Sequence, residues 1–246
     1  MSRRVPNPPA NREPGRARAR VRILLGPGLA TLAMLSVLIG LGVWQVHRLA
    51  WKTALLAAID RAQSAAPGPL EAGTADFAKV RVEGTLAGDS RATYGVAVRD
   101  GPSGPEMGGD LLVAMIRPAD RPVLVDLGWV PAHPTEPLVL PAGAVSVVGY
   151  VRPAERPGLF SLTDDVAGHH FYTLDPARIG AALGRPDLAP LTVVALGPQS
   201  VGGYPVPARD LPRPPNNHLS YALTWFGLAA ALIGVFGLWT AKVIRS

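Results

Sequence analysis

One histidine stands where chemistry is easiest to place. His218 lies within NNHLSYALTWF (Asn216–Phe226), at the border between a polar, proline-rich stretch and an uncharged apolar run. Tyr221, Ala222 and Trp225 follow it at helical spacing, so a helix starting here carries them on one side. A neutral imidazole at such a border can offer a ring nitrogen to iron while its ring stays close to the apolar phase. Bulky rings beside the small Ala222 and Ala229 could leave a flat slot for a large planar ligand. A second border, GVWQVHRLAWK (Gly42–Lys52), closes an earlier apolar run and sets Trp44, Arg48 and Trp51 at i, i+4 and i+7. A guanidinium there can hold a carboxylate. The same residues also suit a plain aromatic belt at a membrane interface, with His218 and Arg48 incidental. On residue types alone, both readings stand.

Other catalytic sets are thin. The chain has no G-x-S-x-G elbow, no H-E-x-x-H and no P-loop. GPSGPEMGG (Gly101–Gly109) is glycine-rich but lacks a following Lys-Ser/Thr, and reads as a hairpin loop. Asp164-Asp165 and His169-His170 are close in sequence. Adjacent strand residues point to opposite faces, however, so a surface loop fits better than a metal site. With no cysteine there are no disulfides, thiolate metal sites or cysteine nucleophiles, which suits an oxidising exterior. Nothing supplies a nucleophile–base pair, and the sequence does not read as an enzyme.

The elements that must position the two borders are the apolar runs. Residues 23–46 and 219–241 carry no acidic or basic side chain apart from the border histidines beside them. At about 1.5 Å of rise per residue, each exceeds a hydrocarbon core of roughly 30 Å. The first is too long for a signal-peptide core and lacks an A-x-A site, so it reads as an uncleaved anchor. Pro27 falls near the start of that run, where a missing amide costs least. Gly227/Ala231 and Ala230/Gly234, each four apart, would let the second span approach the first or a partner closely, unless they simply face lipid. Charge gives the orientation. The first 22 residues hold seven arginines against Glu13, whereas His47–His218 holds fifteen Lys/Arg against seventeen Asp/Glu. Positive flanks stay inside, so both termini are expected in the cytoplasm, with the middle exported from the cell (inner or plasma) membrane. Arg48 and Lys52 depart from this rule and need a local reason. The basic tail serves topology and anionic lipid rather than nucleic acid.

In order, the chain predicts a disordered basic tail (1–22), a first transmembrane helix (23–46), its helical extension (47–66), an exported β-rich domain (67–215), a second transmembrane helix with its outer border (216–241) and a short tail (242–246). Trp51, Leu55, Ile59 and Ala62 share one side of the extension, and APGPL ends it. Seven strands are expected at Phe77–Leu86, Thr93–Arg99, Leu111–Arg117, Val123–Val130, Val145–Arg152, His170–Leu174 and Leu191–Leu196. DPARIGAALG signals one short helix, with Asp175 as N-cap and Gly184 past its end. The fold class is therefore α+β: two transmembrane helices flanking a small antiparallel β-rich domain, barrel-like or sandwich-like.

The motifs then resemble a known family. G-x-W-Q-x-x-R-x-x-W-K (Gly42, Trp44, Gln45, Arg48, Trp51, Lys52) is similar to the opening signature of the Surfeit locus protein 1 family. FAKVRVEGTL, VLVDLGWVP and VVGYVRPAERPGLFSLTDD look like its exported-domain blocks, and NNHLSYALTWFGLA resembles its closing signature. Asp126 and Leu127 stand where relatives commonly show an Asn-Arg-like pair, so no role is carried over there. The family consists of cytochrome c oxidase assembly factors, with bacterial members implicated in binding haem a. The resemblance implies transient haem a cargo with His218 as its iron contact, and Trp44, Gln45, Arg48, Tyr221 and Trp225 as neighbours. It implies the oxidase's catalytic subunit as partner, alongside haem a synthesis enzymes and the lipid bilayer. Two rivals stand beside this reading: a membrane scaffold for the nascent subunit that never touches haem, and an exported ligand-binding sensor. The sensor would need an output domain, and the flanks offer only short basic segments.

Overall fold

A computed structural model describes residues 14–101, 104–118, 120–134, 137–198 and 203–245. Among these residues ten elements follow one another: α1 (Pro14–Ser64), β1 (Gly68–Pro69), β2 (Lys79–Gly101), β3 (Gly104–Ile116), β4 (Val123–Pro131), β5 (Ala144–Pro153), β6 (His170–Phe171), α2 (Pro176–Ala182), β7 (Leu191–Ala195) and α3 (His218–Arg245). They form two compact units, one of residues 1–55 with 214–246, the other of residues 56–213.

The helical unit holds most of α1 and all of α3. Both are long and apolar enough to cross a membrane, and only 6% and 11% of their most apolar stretches are buried. A core helix of a soluble protein would be largely covered. α1 starts at Pro14, so residues 14–22 are helical where the sequence predicts disorder; residues 1–13 lie outside the described residues. Once the apolar run has nucleated a helix, extending it through Ala and Arg is inexpensive, and Pro suits a first turn. Pro27 consequently sits in the helix interior rather than near its start. It leaves the Ile23 carbonyl without its usual amide partner.

The two helices meet along a regular seam. The less exposed residues of α1 recur alternately three and four apart, through Leu35, Leu38, Gly42, Gln45, Leu49 and Lys52. Those of α3 do the same through His218, Ala222, Trp225, Ala229, Leu232 and Phe236. A 3.5-residue repeat is the seam of a left-handed helix pair. Small residues lie where the other helix needs room: a Cβ on Gly42 would stand 2.6 Å from the Phe226 ring. Gly227 and Gly234 have nothing within 4 Å of a built Cβ, and Ala230 and Ala231 are exposed, so that small-residue stripe is not what meets α1.

In the β unit, the hydrogen-bonded path runs β1-β2-β3-β4-β7-β5, and β5 pairs back onto β2. Five strands thus close into a ring. An odd ring cannot alternate direction all the way round, so one neighbouring pair must run parallel, and it is β4–β7. This corrects the expected antiparallel sheet to a mixed one; β1 and β6 also pair β2 in parallel. Closure depends on the length of β2, which joins the two predicted strands at 77–86 and 93–99. Its first part pairs β5 and the remainder pairs β3, with Thr85 opposite both Ala144 and Ile116. Gly84 sits at this change of partner, where a Cβ would lie 2.3 Å from the Ile116 carbonyl oxygen.

Alternation sorts the side chains. Val80, Val82, Leu111, Val113, Met115, Val123, Val125, Val151 and Val193 fill one core. Leu112, Ala114 and Leu124 face the other way and meet Phe171, Leu174, Ile179 and Leu183 around α2. With both faces covered, β4 is buried throughout. α2 forms as its sequence signals: the Asp175 carboxylate accepts the Ala177 amide, Pro176 opens the helix, and Gly184 takes φ +70° past its end. Asp175→Ala should cost about 1 kcal/mol. Differential scanning of the protein in detergent should show the β-domain midpoint falling by roughly 2–4 °C. The last turns of α1 belong to this unit. Ile59 is buried, Asp60 pairs with Arg213, and the Gln63 side chain donates to Asp210 (2.9 Å) and accepts the Leu211 amide (3.0 Å).

Candidate functional site

His218 is the first residue of α3, with Asn217 supplying the carbonyl that accepts the Tyr221 amide. Its Nδ1 lies 2.7 Å from Oε1 of Gln45. An amide oxygen can only accept, so Nδ1 is the donor in this contact, and in the neutral imidazole Nε2 is then the nitrogen that carries the lone pair. Gln45 is 8% exposed, unusual for an amide, and its place in the seam of α1 explains its burial. Close by, the Asn216 side chain donates to Thr53 Oγ1 at 3.4 Å, while Asn216 Oδ1 is buried without a partner.

The other predicted residues fall on both sides of this seam. Trp225 lines it, half-buried, and Ala222 and Ala229 are buried in it. Trp44, Arg48, Trp51 and Tyr221 do not; each is exposed. The Trp44/Arg48/Trp51 series lies one residue, about 100° of helix, from the Gln45/Leu49/Lys52 series that meets α3. Arg48 lies with its guanidinium carbon 4.6 Å from the centre of the Trp51 ring, and the Lys52 ammonium is 5.9 Å away. A cation over an indole face is a local reason for both charges at this border. The predicted face of rings and guanidinium is thus a flank beside the seam. The apolar run is uncharged throughout, so the 3.5-residue recurrence through Leu35, Leu38, Gly42, Gln45 and Leu49 stands out only once the structure shows which side is covered.

A polar cluster in the β unit has no counterpart in the sequence reading. Asp126 is 2% exposed, on the face of β4 that points away from the ring's interior, and its Oδ1 accepts the Gly128 amide at 2.9 Å. Burial first, and the charge of Asp110 second, push its carboxyl up to about 7. Asp110 is raised as well, chiefly by burial, with Arg99 and Arg152 opposing. Beside them Arg152 donates to Tyr94 Oη (2.9 Å) and Glu155 Oε1 (2.5 Å), and Glu155 accepts the Leu174 amide (3.0 Å). Burial pushes Glu155 upward, but the Leu174 amide and Arg152 outweigh it and hold it below the usual carboxylate range. Elsewhere Asp164 and His170 serve structure: Asp164 Oδ1 accepts the Tyr172 and Thr173 amides, and His170 Nδ1 pairs with Thr93 Oγ1 at 2.7 Å. The GPSGPEMGG stretch joins β2 to β3, Gly101 pairing Gly104, while residues 102–103 lie outside the described residues.

The sequence has relatives along most of its length. It is 31% identical over 229 residues to a SURF1-like protein of Drosophila melanogaster, covering 84% of this chain and 74% of that one. It is 28% identical to Surfeit locus protein 1 of Takifugu rubripes (84% and 92% covered) and 27% identical to a SURF1-like protein of Rickettsia felis (88% and 97%). The model of the SURF1 family matches residues 32–230, a span that takes in most of the first apolar run, the start of the second, the closed ring and the Gln45–His218 contact. The chain belongs to the SURF1 family.

Proposed function

We propose that this protein is an assembly factor for haem-copper cytochrome c oxidase, which holds haem a transiently and helps to deliver it to the oxidase's catalytic subunit. On this reading α1 and α3 cross the inner membrane, both termini are cytoplasmic, and the β-domain is exported. Family membership supports the assembly role, and one contact supports the cargo: the Gln45 carbonyl fixes the His218 tautomer that leaves Nε2 as a lone-pair donor. The donor set therefore suits a haem iron, with Trp225 behind His218 on the same helix and the Trp44, Arg48 and Tyr221 side chains open at the flank. One imidazole suits a carrier, because a bis-histidine site would hold its cargo too firmly to release it. No bond in the cargo is made or broken; the work is binding and hand-over, among partners that include the haem a synthesis enzymes.

The test is absorbance of protein purified from a host that makes haem a. Wild type should carry a haem a band, and His218→Ala should lose it. Gln45→Leu, which keeps the bulk but not the acceptor, should weaken haem retention about 10- to 100-fold. Wild type without the band, together with full oxidase activity in a His218→Ala strain, would leave only a scaffold role.

A further inference from the structure

We infer that the turn at residues 157–162 is a membrane-dipping tip, by which the β-domain rests on the bilayer that α1 and α3 cross. Leu159 and Phe160, at 92% and 93%, are the most exposed of the large hydrophobic side chains among the described residues, and Leu162 is 65% exposed. The tip is not a fraying end. The Gly158 amide donates to Ser161 Oγ (2.8 Å) and the Ser161 amide to the Gly158 carbonyl (3.2 Å), closing a turn that holds both side chains outward. Its feet are tied down as well. Glu155 accepts the Leu174 amide, and Asp164 accepts two backbone amides and faces Arg178 at 3.4 Å.

Charge agrees with this placement. No ionisable side chain occurs from Pro157 to Thr163. The Asp164 carboxylate is buried, and Asp165 folds back onto the Gly168 amide at 2.9 Å, so neither crowns the tip. Arg156, exposed on the other flank, suits an anionic headgroup layer.

The tether supplies the bilayer. The β unit is joined to an apolar helix at both of its ends, residues 56 and 213, and its radius of gyration is about 15 Å for its length. It therefore never travels far from the surface. Insertion of two side chains would hold a free domain weakly, but here the step is intramolecular and high effective concentration makes a weak preference count. This inference rests on the proposed spanning of α1 and α3, and its test separates the two.

Because the chain has no cysteine, Phe160→Cys, Val139→Cys and Leu228→Cys each accept a single environment-sensitive fluorophore. The full-length proteins are placed in vesicles of phosphatidylcholine and phosphatidylglycerol, with and without spin-labelled lipid. Labels at 160 and 228 should be quenched by the spin-labelled lipid, and 139, on an exposed loop, should not. Iodide should reach 160 about threefold less readily than 139. Adding Leu159→Ser to Phe160→Cys should bring the label back toward water. If 228 is quenched while 160 stays as open to iodide as 139, the tip fails and the spanning reading stands. If neither 160 nor 228 is quenched, both fail. Shielding of 160 only after membrane proteins are added would also overturn the inference and make the turn a protein contact.

Discussion

Gly128→Ala is expected to destabilise the β-domain by about 3–5 kcal/mol, the sum of backbone strain and an overlap that cannot relax. Gly128 holds φ +110°, which side-chain-bearing residues rarely adopt. A Cβ there would stand 2.1 Å from the Val206 carbonyl oxygen, 2.4 Å from its carbon and 2.6 Å from Pro207 Cα. All three are backbone atoms, so no side chain can swing aside. The segment is also fixed, since Trp129 and Val206 exchange two amide–carbonyl bonds of 2.9 Å. Gly95→Ala makes the control: its φ is +67°, but nothing lies within 4 Å of the added carbon. It should cost about 1 kcal/mol, the lower end of such strain. Urea unfolding of both variants in detergent checks the account, and equal losses would refute the close approach.

Asp126→Asn is expected to stabilise the β-domain by about 2–4 kcal/mol at pH 8 and to change little at pH 4. Folding lifts this carboxyl from an ordinary value near 3.9 to about 7, through burial first and Asp110 second. Between those values the folded protein keeps a proton that the unfolded chain releases. The stability contributed by this group is therefore whole below about pH 4, falls as pH rises and is gone above about pH 7. Asparagine keeps an oxygen for the Gly128 amide and never ionises. Urea midpoints from pH 4 to 8 should fall less with rising pH in the variant than in wild type. Parallel curves would mean that Asp126 is not the group responsible.

Periodicity and charge in the sequence determine a good deal. Two uncharged runs long enough to span, the α2 capping by Asp175 and Pro176, and the β-type runs of the middle all follow from local side-chain preferences. Two motifs singled out His218 and Gln45, and the structure sets their side chains in contact. Local preference cannot state which strands become neighbours. The union of two predicted strands into β2, the ring closed by β5 and the parallel β4–β7 pair are non-local; the odd strand count requires a parallel pair but does not choose which. Tertiary packing also chose among helix faces that look alike in sequence. On α1 it took the series through Gly42, Gln45 and Leu49 rather than Trp44, Arg48 and Trp51. Side chains of modest bulk leave room on that helix for the Phe226 and Trp225 rings of α3, where a flank tolerates indoles. The same packing buried Asp126 beside Asp110, a cost that no spacing of acidic residues announces. Composition shows which groups a chain carries, but only the assembled fold decides which of them lose water and which gain a partner.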